Sequence, residues 1–308
     1  MDAQNTQLAV RLWLQMDAAF GVHEVPLVLP KRRYAVVNAA PASATPARPA
    51  LRTAPVVTYT RPVAAVRPAA PPANTKETTA LGHSADIPRS VKIPPIPDGR
   101  IDALAPISDA EKPRLLAELE QQAIAALSRY LSAVATTVVF GEGDPAAALM
   151  FVGEGPGAEE DKTGKPFVGR SGKLLDKMIS AMGLSRREVY IGNVVKLRAA
   201  EPDPDTGRLR DRPPTPAEVA LNISWLHRQI EIIRPQVIVT LGAPALKYLT
   251  GTAEGINRQR GTWLEYRGIP LMPTYHPSFV LRAYTPENRA KVWSDLQLVM
   301  AKLGLKLP

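Results

Sequence analysis

Hydrophobic runs alternate with amphipathic segments along the chain from about residue 108 onward. Four short runs rich in aliphatic and β-branched residues predict buried strands, at residues 148–154, 189–195, 236–242 and 269–275. Apolar positions at helical spacing predict helices around them, at residues 108–131, 171–182, 215–233, 243–249 and 288–303. Strands that alternate with helices are typical of an α/β fold, in which helices cover both faces of a parallel sheet.

The first hundred residues follow a different pattern. Residues 7–20 carry apolar side chains at helical spacing and predict a short amphipathic helix. Residues 36–74 consist mainly of Ala, Pro, Val, Thr and Arg, and proline at this density prevents a packed helix or strand. We therefore predict three parts: an N-terminal helical segment at 1–35, a disordered Pro/Ala-rich linker at 36–100 and a folded domain at 101–308.

Composition narrows the class of protein. The chain contains no cysteine, which excludes disulfides, thiolate nucleophiles and cysteine-ligated metal clusters. It has no apolar run that could cross a membrane and no secretory signal pattern, so we expect a cytoplasmic protein, associated with the nucleoid if bacterial. The net charge of +9 favours a polyanionic partner. Residues 1–75 hold eight Lys and Arg against three Asp and Glu, so this arm either attracts phosphate or only adds solubility.

Three unusual segments follow predicted strands: GEGPGAEED at 153–161, NVVKLR at 193–198 and TYHPS at 274–278. Ligands of parallel sheets bind beyond the carboxyl ends of the strands, so these segments together predict a site. The glycine spacing of the first segment matches neither a dinucleotide fingerprint nor a P-loop. Its acids suit a water, a sugar cation or a base edge better than a phosphate. The alternative is an ordinary glycine-rich loop with solvated acids.

Three side chains near these strand ends are candidates for recognising a ligand. Phe167 lies in a polar loop and either stacks on a base or fills the core. Asn193 can donate and accept hydrogen bonds at once, as the edge of uracil requires, or it caps the strand end. His276 can stabilise a developing anion, or it is an ordinary loop histidine. The stiff turn after it leads to an apolar wedge at 279–281 beside Arg282, which a base-flipping enzyme needs.

Six motifs occur in an order that resembles the uracil-DNA glycosylase superfamily, closest to its family 4, the thermophile-type enzymes. The motifs are GEGPGAEEDKTGKPFVGRSGKLLDKM, YIGNVVKLR, RPPTPAEVA, RPQVIVTLG, INRQRG and PTYHPSFVLR. The resemblance covers residues 125–305. It implies a three-layer αβα fold with a central parallel four-stranded sheet. It also implies removal of uracil from DNA by hydrolysis of the N-glycosidic bond.

The resemblance implies a role for each candidate residue. Uracil, flipped out of the DNA, is stacked on Phe167 and read by Asn193, while His276 stabilises the uracil anion. Glu160 holds the attacking water, and Glu154 is the alternative. The backbone that lines the pocket belongs to Gly153, Glu154 and Gly155. The residues expected to contact DNA are Ser278, Phe279, Leu281, Arg282, Lys162 and Arg170.

The chain departs from family 4 at the iron–sulfur site. Those enzymes usually carry a [4Fe–4S] cluster on four cysteines, and the corresponding positions here are Ala126, Arg129, Leu197 and Asn222. Thiolates therefore cannot bind a cluster, so we expect no cofactor, and apolar packing to which Leu197 is suited replaces it. The segment 201–216 also lacks the histidine of a related branch that traps uracil-DNA covalently. We therefore predict no covalent trap.

Two alternatives to a uracil glycosylase stay open on the sequence. One is a catalytically inactive DNA-binding protein on the same fold, since the iron–sulfur cysteines are lost. The other is a glycosylase for another deaminated base, such as hypoxanthine or xanthine. We also expect the N-terminal helix to contact a protein partner, and we expect a monomer that does not associate with membranes.

Overall fold

The computed structural model describes residues 91–306. Eight strands lie within that range: β1 (Glu142–Gly143), β2 (Leu149–Gly153), β3 (Tyr190–Asn193), β4 (Ala200–Pro202), β5 (Leu209–Asp211), β6 (Val237–Leu241), β7 (Leu264–Tyr266) and β8 (Ile269–Thr274). Six of them form one sheet in the order β1-β3-β2-β6-β8-β7, and β4 pairs with β5 in a separate hairpin. The four central strands β3, β2, β6 and β8 are parallel, and β1 and β7 pair antiparallel at the two edges.

The four predicted strands are the four parallel strands, so the α/β class is confirmed. The sheet is larger than predicted because β1 and β7 extend it. These edge strands have two and three residues, which is too short for a hydrophobic alternation to be recognised. The carboxyl ends of β2, β3 and β8 carry the three segments that the sequence singled out.

Eight α-helices surround the sheet within the described range: α1 (Lys112–Leu127), α2 (Ala158–Thr163), α3 (Arg170–Ala181), α4 (Pro216–Ile233), α5 (Ala243–Thr250), α6 (Ile256–Gln259), α7 (Pro277–Arg282) and α8 (Pro286–Lys302). Consecutive residues of β2 point to opposite faces of the sheet. Met150 and Val152 pack with α1, α4 and α5 in one apolar cluster, whereas Leu149 and Phe151 pack with α3 and α8 in another. The three-layer αβα arrangement is therefore confirmed.

Two helix starts were predicted from capping residues; the one at Thr215 is confirmed and the one at Ser108 is not. Thr215 caps α4 as predicted, because its hydroxyl accepts a hydrogen bond from the Glu218 amide at 3.2 Å. The predicted start at Ser108 is wrong. There the Glu111 carboxylate accepts hydrogen bonds from the Ser108 amide and hydroxyl, which closes a turn ahead of α1. Helix α1 then begins at Lys112.

Residues just before 101, within the segment predicted as linker, contact the folded part of the chain. Ile93 and Ile96 pack against the first apolar cluster. The Arg267 guanidinium donates hydrogen bonds to the carbonyls of Gly99 at 2.8 Å and Asp98 at 3.2 Å. The predicted helix at 7–20 and the linker up to residue 90 lie outside the described residues. No helix between residues 91 and 306 is long and apolar enough to cross a membrane.

A third, smaller apolar cluster lies apart from the two sheet faces. Its buried members are Leu127, Ala135, Val138 and Leu197. The partly buried rings of Tyr130 and Trp225 pack against it. The cluster joins the end of α1, the segment that follows it, the chain after β3 and helix α4 by apolar contact.

Truncation of Leu197 tests the contribution of this third cluster. We expect Leu197→Ala to lower the free energy of unfolding by about 2 to 3 kcal/mol, because it removes a buried side chain and leaves a cavity. Leu298→Ala is the matched control, since Leu298 is 40% exposed, and it is expected to change stability by less than about 0.5 kcal/mol. Urea unfolding monitored by circular dichroism measures both. Equal effects of the two variants would contradict a packing role for this cluster.

Candidate active site

A pocket of about 450 Å³ opens at the carboxyl ends of the parallel strands. Its wall includes Glu154 and Gly155 after β2, Phe167 from the loop before α3, and His276 at the start of α7. The hairpin of β4 and β5 closes another side through Asp211. The pocket thus lies where the sequence analysis predicted a site, and the glycine-rich segment forms much of its wall.

The contact between the ends of β2 and β3 lies against Phe167; Gly153 and Asn193, which form this contact, are not themselves among the residues that line the pocket. Gly153 and Asn193 are register partners across these strands. A side chain at Gly153 would overlap both the Asn193 amide oxygen and the ring of Phe167, so only glycine lets the three residues meet. The rings of Phe167 and His276 are 5.6 Å apart between centroids and tilted by 33°. The predicted recognition residues are therefore brought together.

The loop that carries Phe167 is held in an unusual conformation. Phe167 has a φ of +52°, which a non-glycine residue adopts only when its surroundings enforce it. Arg186 provides that support, because its guanidinium donates hydrogen bonds to the carbonyls of Pro166 and Phe167 and to Asp176. Gly172 in α3 allows the Phe167 carbonyl to pack directly on the helix. Phe167 both joins the second apolar cluster and lines the pocket, so the ring fills the core, and its stacking on a base stays a prediction.

The Asn193 side chain is almost fully buried, with 1% of its surface exposed. Its amide oxygen makes no hydrogen bond to any residue between 91 and 306. An unsatisfied buried acceptor costs about 1 to 3 kcal/mol, so the arrangement is unfavourable unless a ligand supplies the donor. The strand-end cap considered in the sequence analysis does not account for this oxygen, because it bonds to nothing at the strand end.

His276 caps α7 through its ring. The ring Nδ1 accepts a hydrogen bond from the Ser278 amide at 3.0 Å, and the Ser278 hydroxyl lies 2.8 Å from the same nitrogen. Because an amide can only donate, Nδ1 carries no proton and the neutral ring bears its proton on Nε2. Burial, reinforced by the nearby Arg282, lowers the pKa of His276 to about 4. The ring is therefore a neutral hydrogen-bond donor near pH 7.

The acids of the glycine-rich segment differ in their surroundings. The Glu160 carboxylate accepts hydrogen bonds from the amides of Val168 and Gly169, each at 2.9 Å, and of Gly157 at 3.2 Å. The buried Asp161 carboxylate accepts hydrogen bonds from the Thr136 amide, the Thr136 hydroxyl and the Thr137 amide. It therefore connects the glycine-rich segment to residues about 25 positions earlier in the chain. The alternative of solvated acids is wrong for these two residues, which act as acceptors for backbone groups.

Glu154 is the acid that remains available in the pocket. Its carboxylate makes no hydrogen bond or ion pair within the described part of the chain, and it lines the cavity. Burial raises the pKa of the Glu154 carboxyl. The Glu154 carboxylate has no partner among the described residues, and its raised pKa makes it a better base. It can therefore hold a water more readily than Glu160, whose carboxylate already accepts hydrogen bonds from backbone amides.

The rim of the pocket carries basic side chains, but not every basic residue predicted to contact DNA lies there. Arg170 and Arg282 line the pocket beside Ser278, and neither pairs with a carboxylate within residues 91–306. Lys162 differs, because its ammonium pairs with Glu159 at 2.8 Å and does not line the pocket. Phosphate contact is therefore best supported for the two arginines.

The apolar wedge predicted at residues 279–281 consists of one exposed ring. Residues 277–282 form α7 rather than a turn, so their side chains point in different directions. Val280 is buried in the second cluster, and Leu281 is partly buried against it. Phe279 is 36% exposed and packs on Tyr275 with 4.8 Å between ring centroids. Phe279 alone of the three has the exposure that a wedge requires.

Comparison with known proteins agrees with this geometry. A profile of the uracil DNA glycosylase superfamily matches residues 140–297, which include β1 to β3, β6 to β8 and every recognition residue described above. The chain therefore belongs to the uracil DNA glycosylase superfamily.

Several relatives share much of this domain. The chain is 45% identical over 164 residues to the type-4 uracil-DNA glycosylase of Thermotoga maritima, covering 53% of this chain and 81% of that protein. It is 38% identical over 181 residues to the type-4 uracil-DNA glycosylase of Archaeoglobus fulgidus, covering 56% and 85%. A type-5 uracil-DNA glycosylase of Pyrobaculum aerophilum is 32% identical over 155 residues, covering 44% of this chain and 63% of that protein. The order of identity agrees with a resemblance to family 4.

The residues at the four iron–sulfur positions do not fit a cluster. The chain has no cysteine at all, so no thiolate can ligate iron. Leu197 is a member of the third apolar cluster. The Asn222 carboxamide is engaged by the Lys196 amide at 2.9 Å and the Glu218 carbonyl at 2.7 Å, while Ala126 and Arg129 are exposed. Within residues 91–306 no three His, Cys, Asp or Glu side chains are placed so that together they could hold a metal ion.

The protonation of His276 is directly measurable. We expect its ring to titrate near pH 4, and at pH 7 to carry its proton on Nε2, in nitrogen-detected NMR of the protein labelled in histidine. Because the unfolded state binds this proton near the ordinary pKa of 6.5, the residue lowers the free energy of unfolding as the pH falls from about 6.5 to 4. The His276→Asn variant assigns the signal and should weaken that pH dependence. Titration near pH 6.5 would contradict the buried, neutral ring.

Proposed function

We propose that this protein removes uracil from DNA by hydrolysing the N-glycosidic bond, which leaves an abasic site. The observation that carries the proposal is the buried amide oxygen of Asn193, which lacks a hydrogen-bond donor and sits beside the paired rings of Phe167 and His276. The N3–H of uracil supplies the missing donor, and its O4 accepts from the amide nitrogen. The names of the relatives, type-4 uracil-DNA glycosylases, support the same substrate.

The reaction follows from the surroundings of the bound base. Uracil, turned out of the DNA, stacks on Phe167, and the backbone of Gly153, Glu154 and Gly155 lines its edge. When the bond between C1′ and N1 breaks, its electron pair stays on uracil. The Nε2–H of the neutral His276 ring donates a hydrogen bond to the anion that develops on uracil.

The sugar becomes an oxocarbenium ion, which a water then attacks at C1′. We assign the water to Glu154, whose free carboxylate takes up the proton that the water loses. Glu160 was the first candidate in the sequence analysis, but its three backbone hydrogen bonds support a role in holding the loop. The chemistry needs no metal and no redox group, so we also propose that the protein works without a cofactor.

The DNA approaches the rim of the pocket in this proposal. Arg170 and Arg282 contact phosphates and fix the register of the strand, and Ser278 contributes a polar contact beside His276. Phe279 enters the base stack at the position that the flipped nucleotide leaves. Lys162 and Leu281 have a smaller part, because the first is paired with Glu159 and the second is packed against the core.

A gel assay on an oligonucleotide with one uracil tests the proposed function. We expect alkali to cleave the strand after incubation with the protein, and we expect His276→Ala to reduce the excision rate by about 10² to 10⁴-fold, because a donor to the developing anion is lost. An iron chelator should leave the rate unchanged. Retarded but intact DNA would indicate a catalytically inactive DNA-binding protein.

The same oligonucleotide assay separates the possible bases. Hypoxanthine and xanthine replace uracil in parallel substrates, and the wild-type protein should prefer uracil. Asn193→Asp should lower the uracil preference, because a carboxylate cannot donate to O4. Faster release of hypoxanthine or xanthine by the wild-type protein would instead assign the pocket to another deaminated base.

The N-terminal part is proposed to act outside the chemistry. We propose that the amphipathic helix at 7–20 binds a protein of replication or repair, that the linker tethers it to a monomeric catalytic domain, and that the protein works in the cytoplasm or nucleoid. Deletion of residues 1–75 should leave uracil excision unchanged and abolish co-purification of that partner. Loss of excision in the deletion variant would mean that the arm contributes to the catalytic domain itself, for example through its basic residues.

A further inference from the structure

Lys196 is a fully buried lysine three residues after Asn193. None of its surface is exposed. Its ammonium donates hydrogen bonds to the Asn193 carbonyl at 2.8 Å and to the Gln229 amide oxygen at 2.6 Å. It also lies 5.8 Å from the centre of the Phe140 ring. No carboxylate pairs with it among residues 91–306, so its charge is not neutralised by an acid.

This arrangement is unfavourable for stability alone. Transfer of an ammonium from water to a protein interior costs several kcal/mol unless a counter-ion compensates. Lys112 illustrates the usual solution, because its buried ammonium pairs with Asp109 at 2.9 Å. At Lys196 burial without such a pair lowers the pKa to about 7. What the amine supplies, and an apolar side chain of the same length would not, is a donor for the Asn193 carbonyl and the Gln229 amide oxygen.

The contacts of Lys196 fix the backbone at the end of β3. Its side chain returns to the carbonyl three residues earlier and closes the turn that contains Asn193. Gln229 is itself held, because its amide nitrogen donates to the Phe140 carbonyl at 3.0 Å and to the Tyr190 hydroxyl at 3.1 Å. The Lys196 amide is bonded to Asn222 of α4 as well. The turn is therefore anchored to α4 through two separate hydrogen bonds.

Asn193 has one polar group fixed by this network and one group free. Lys196 holds its backbone carbonyl, while its side-chain oxygen lies against Gly153 and Phe167 and has no hydrogen-bond partner among residues 91–306. The neighbouring amides of Val194 and Val195 donate to the carbonyls of Gly153 and Glu154, at 2.9 and 3.0 Å. A carboxamide that must read a base needs its backbone held to within a fraction of an ångström, since misplacement weakens both hydrogen bonds to the base.

We propose that Lys196 is a positioning residue for base recognition, acting through Asn193. Its two hydrogen bonds clamp the Asn193 carbonyl to Gln229 and so keep the Asn193 side chain in place beside Gly153 and the Phe167 ring. The neutral amine still has a hydrogen for each acceptor, so the clamp persists when the ammonium loses its proton. The inference rests on the proposed function, because it assigns Lys196 a part in reading the base that this function requires.

A double-mutant cycle tests whether Lys196 acts through Asn193. Lys196→Met should reduce single-turnover excision of uracil about 10- to 100-fold and weaken inhibition by free uracil, while binding to abasic DNA stays within twofold of wild type. Asn193→Ala should cause a loss of its own, and the double variant should be no slower than Asn193→Ala within about threefold. Wild-type activity of Lys196→Met, or losses that multiply in the double variant, would overturn the proposal. Lys291→Met, at an exposed lysine, is the control.

A second test compares two side chains of the same shape at position 196, one with the amine and one without it. It is possible because the chain contains no cysteine, so a cysteine introduced there is the only thiol to be alkylated. The Lys196→Cys variant is unfolded in urea, alkylated with either an aminoethyl or a propyl group, and refolded; wild type carried through the same steps is the control. The aminoethyl form is expected to recover at least half of the wild-type rate and the propyl form to stay at least tenfold slower. Equal rates would overturn the proposal. Failure of the propyl form alone to refold would also overturn it, by making the role structural.

The two proposals fail in different ways. If the wild-type protein releases no uracil from DNA, the proposed function is wrong, whatever the variants do. If the wild-type protein releases uracil but the double-mutant cycle is additive, the function stands and Lys196 has no part in positioning Asn193.

Discussion

The site depends on the close contact between the ends of β2 and β3. Gly153 has no side chain, so the Phe167 ring and the Asn193 carboxamide both reach the same point above the sheet. Parallel pairing sets the register of these strands and therefore sets which residues meet. The buried, unpartnered oxygen of Asn193 is the unfavourable feature that this contact creates. The rest of the pocket supports it: Arg186 holds the carbonyl of Phe167, and Glu160 accepts hydrogen bonds from the Val168 and Gly169 amides of the same loop.

Most of the fold was predictable from the sequence. The four parallel strands are short, nearly continuous aliphatic runs, and helix α4 has a strong capping signal at Thr215, so both are local features. The edge strands β1 and β7 have too few residues to show a period. Pro277 and Ser278 favour a turn in the sequence, but the same two residues begin a helix when His276 caps it.

The recognition residues were predictable from the motifs, whereas the residues that hold them in place were not. Arg186 contacts carbonyls about twenty residues earlier, Asp161 contacts Thr136, and Lys196 contacts Gln229. Such long-range hydrogen bonds leave no periodicity in the sequence. The acids of the glycine-rich loop show the difficulty best. Glu154 and Glu160 are alike in the sequence, and only their distances to backbone amides distinguish a free carboxylate from an engaged one.

Helix α7 joins two parts of the site that are usually considered separately. His276 caps this six-residue helix and is fixed by the amide of Ser278, and Phe279 and Arg282 follow it in the same helix. Val280 anchors this short element in the core between them. If the proposed DNA contacts hold, a strand that shifts the outer residues shifts the imidazole with them, because all three belong to one short helix. The proposal therefore couples the alignment of the ring to engagement of the polymer, and it implies that an isolated nucleoside is a poor substrate.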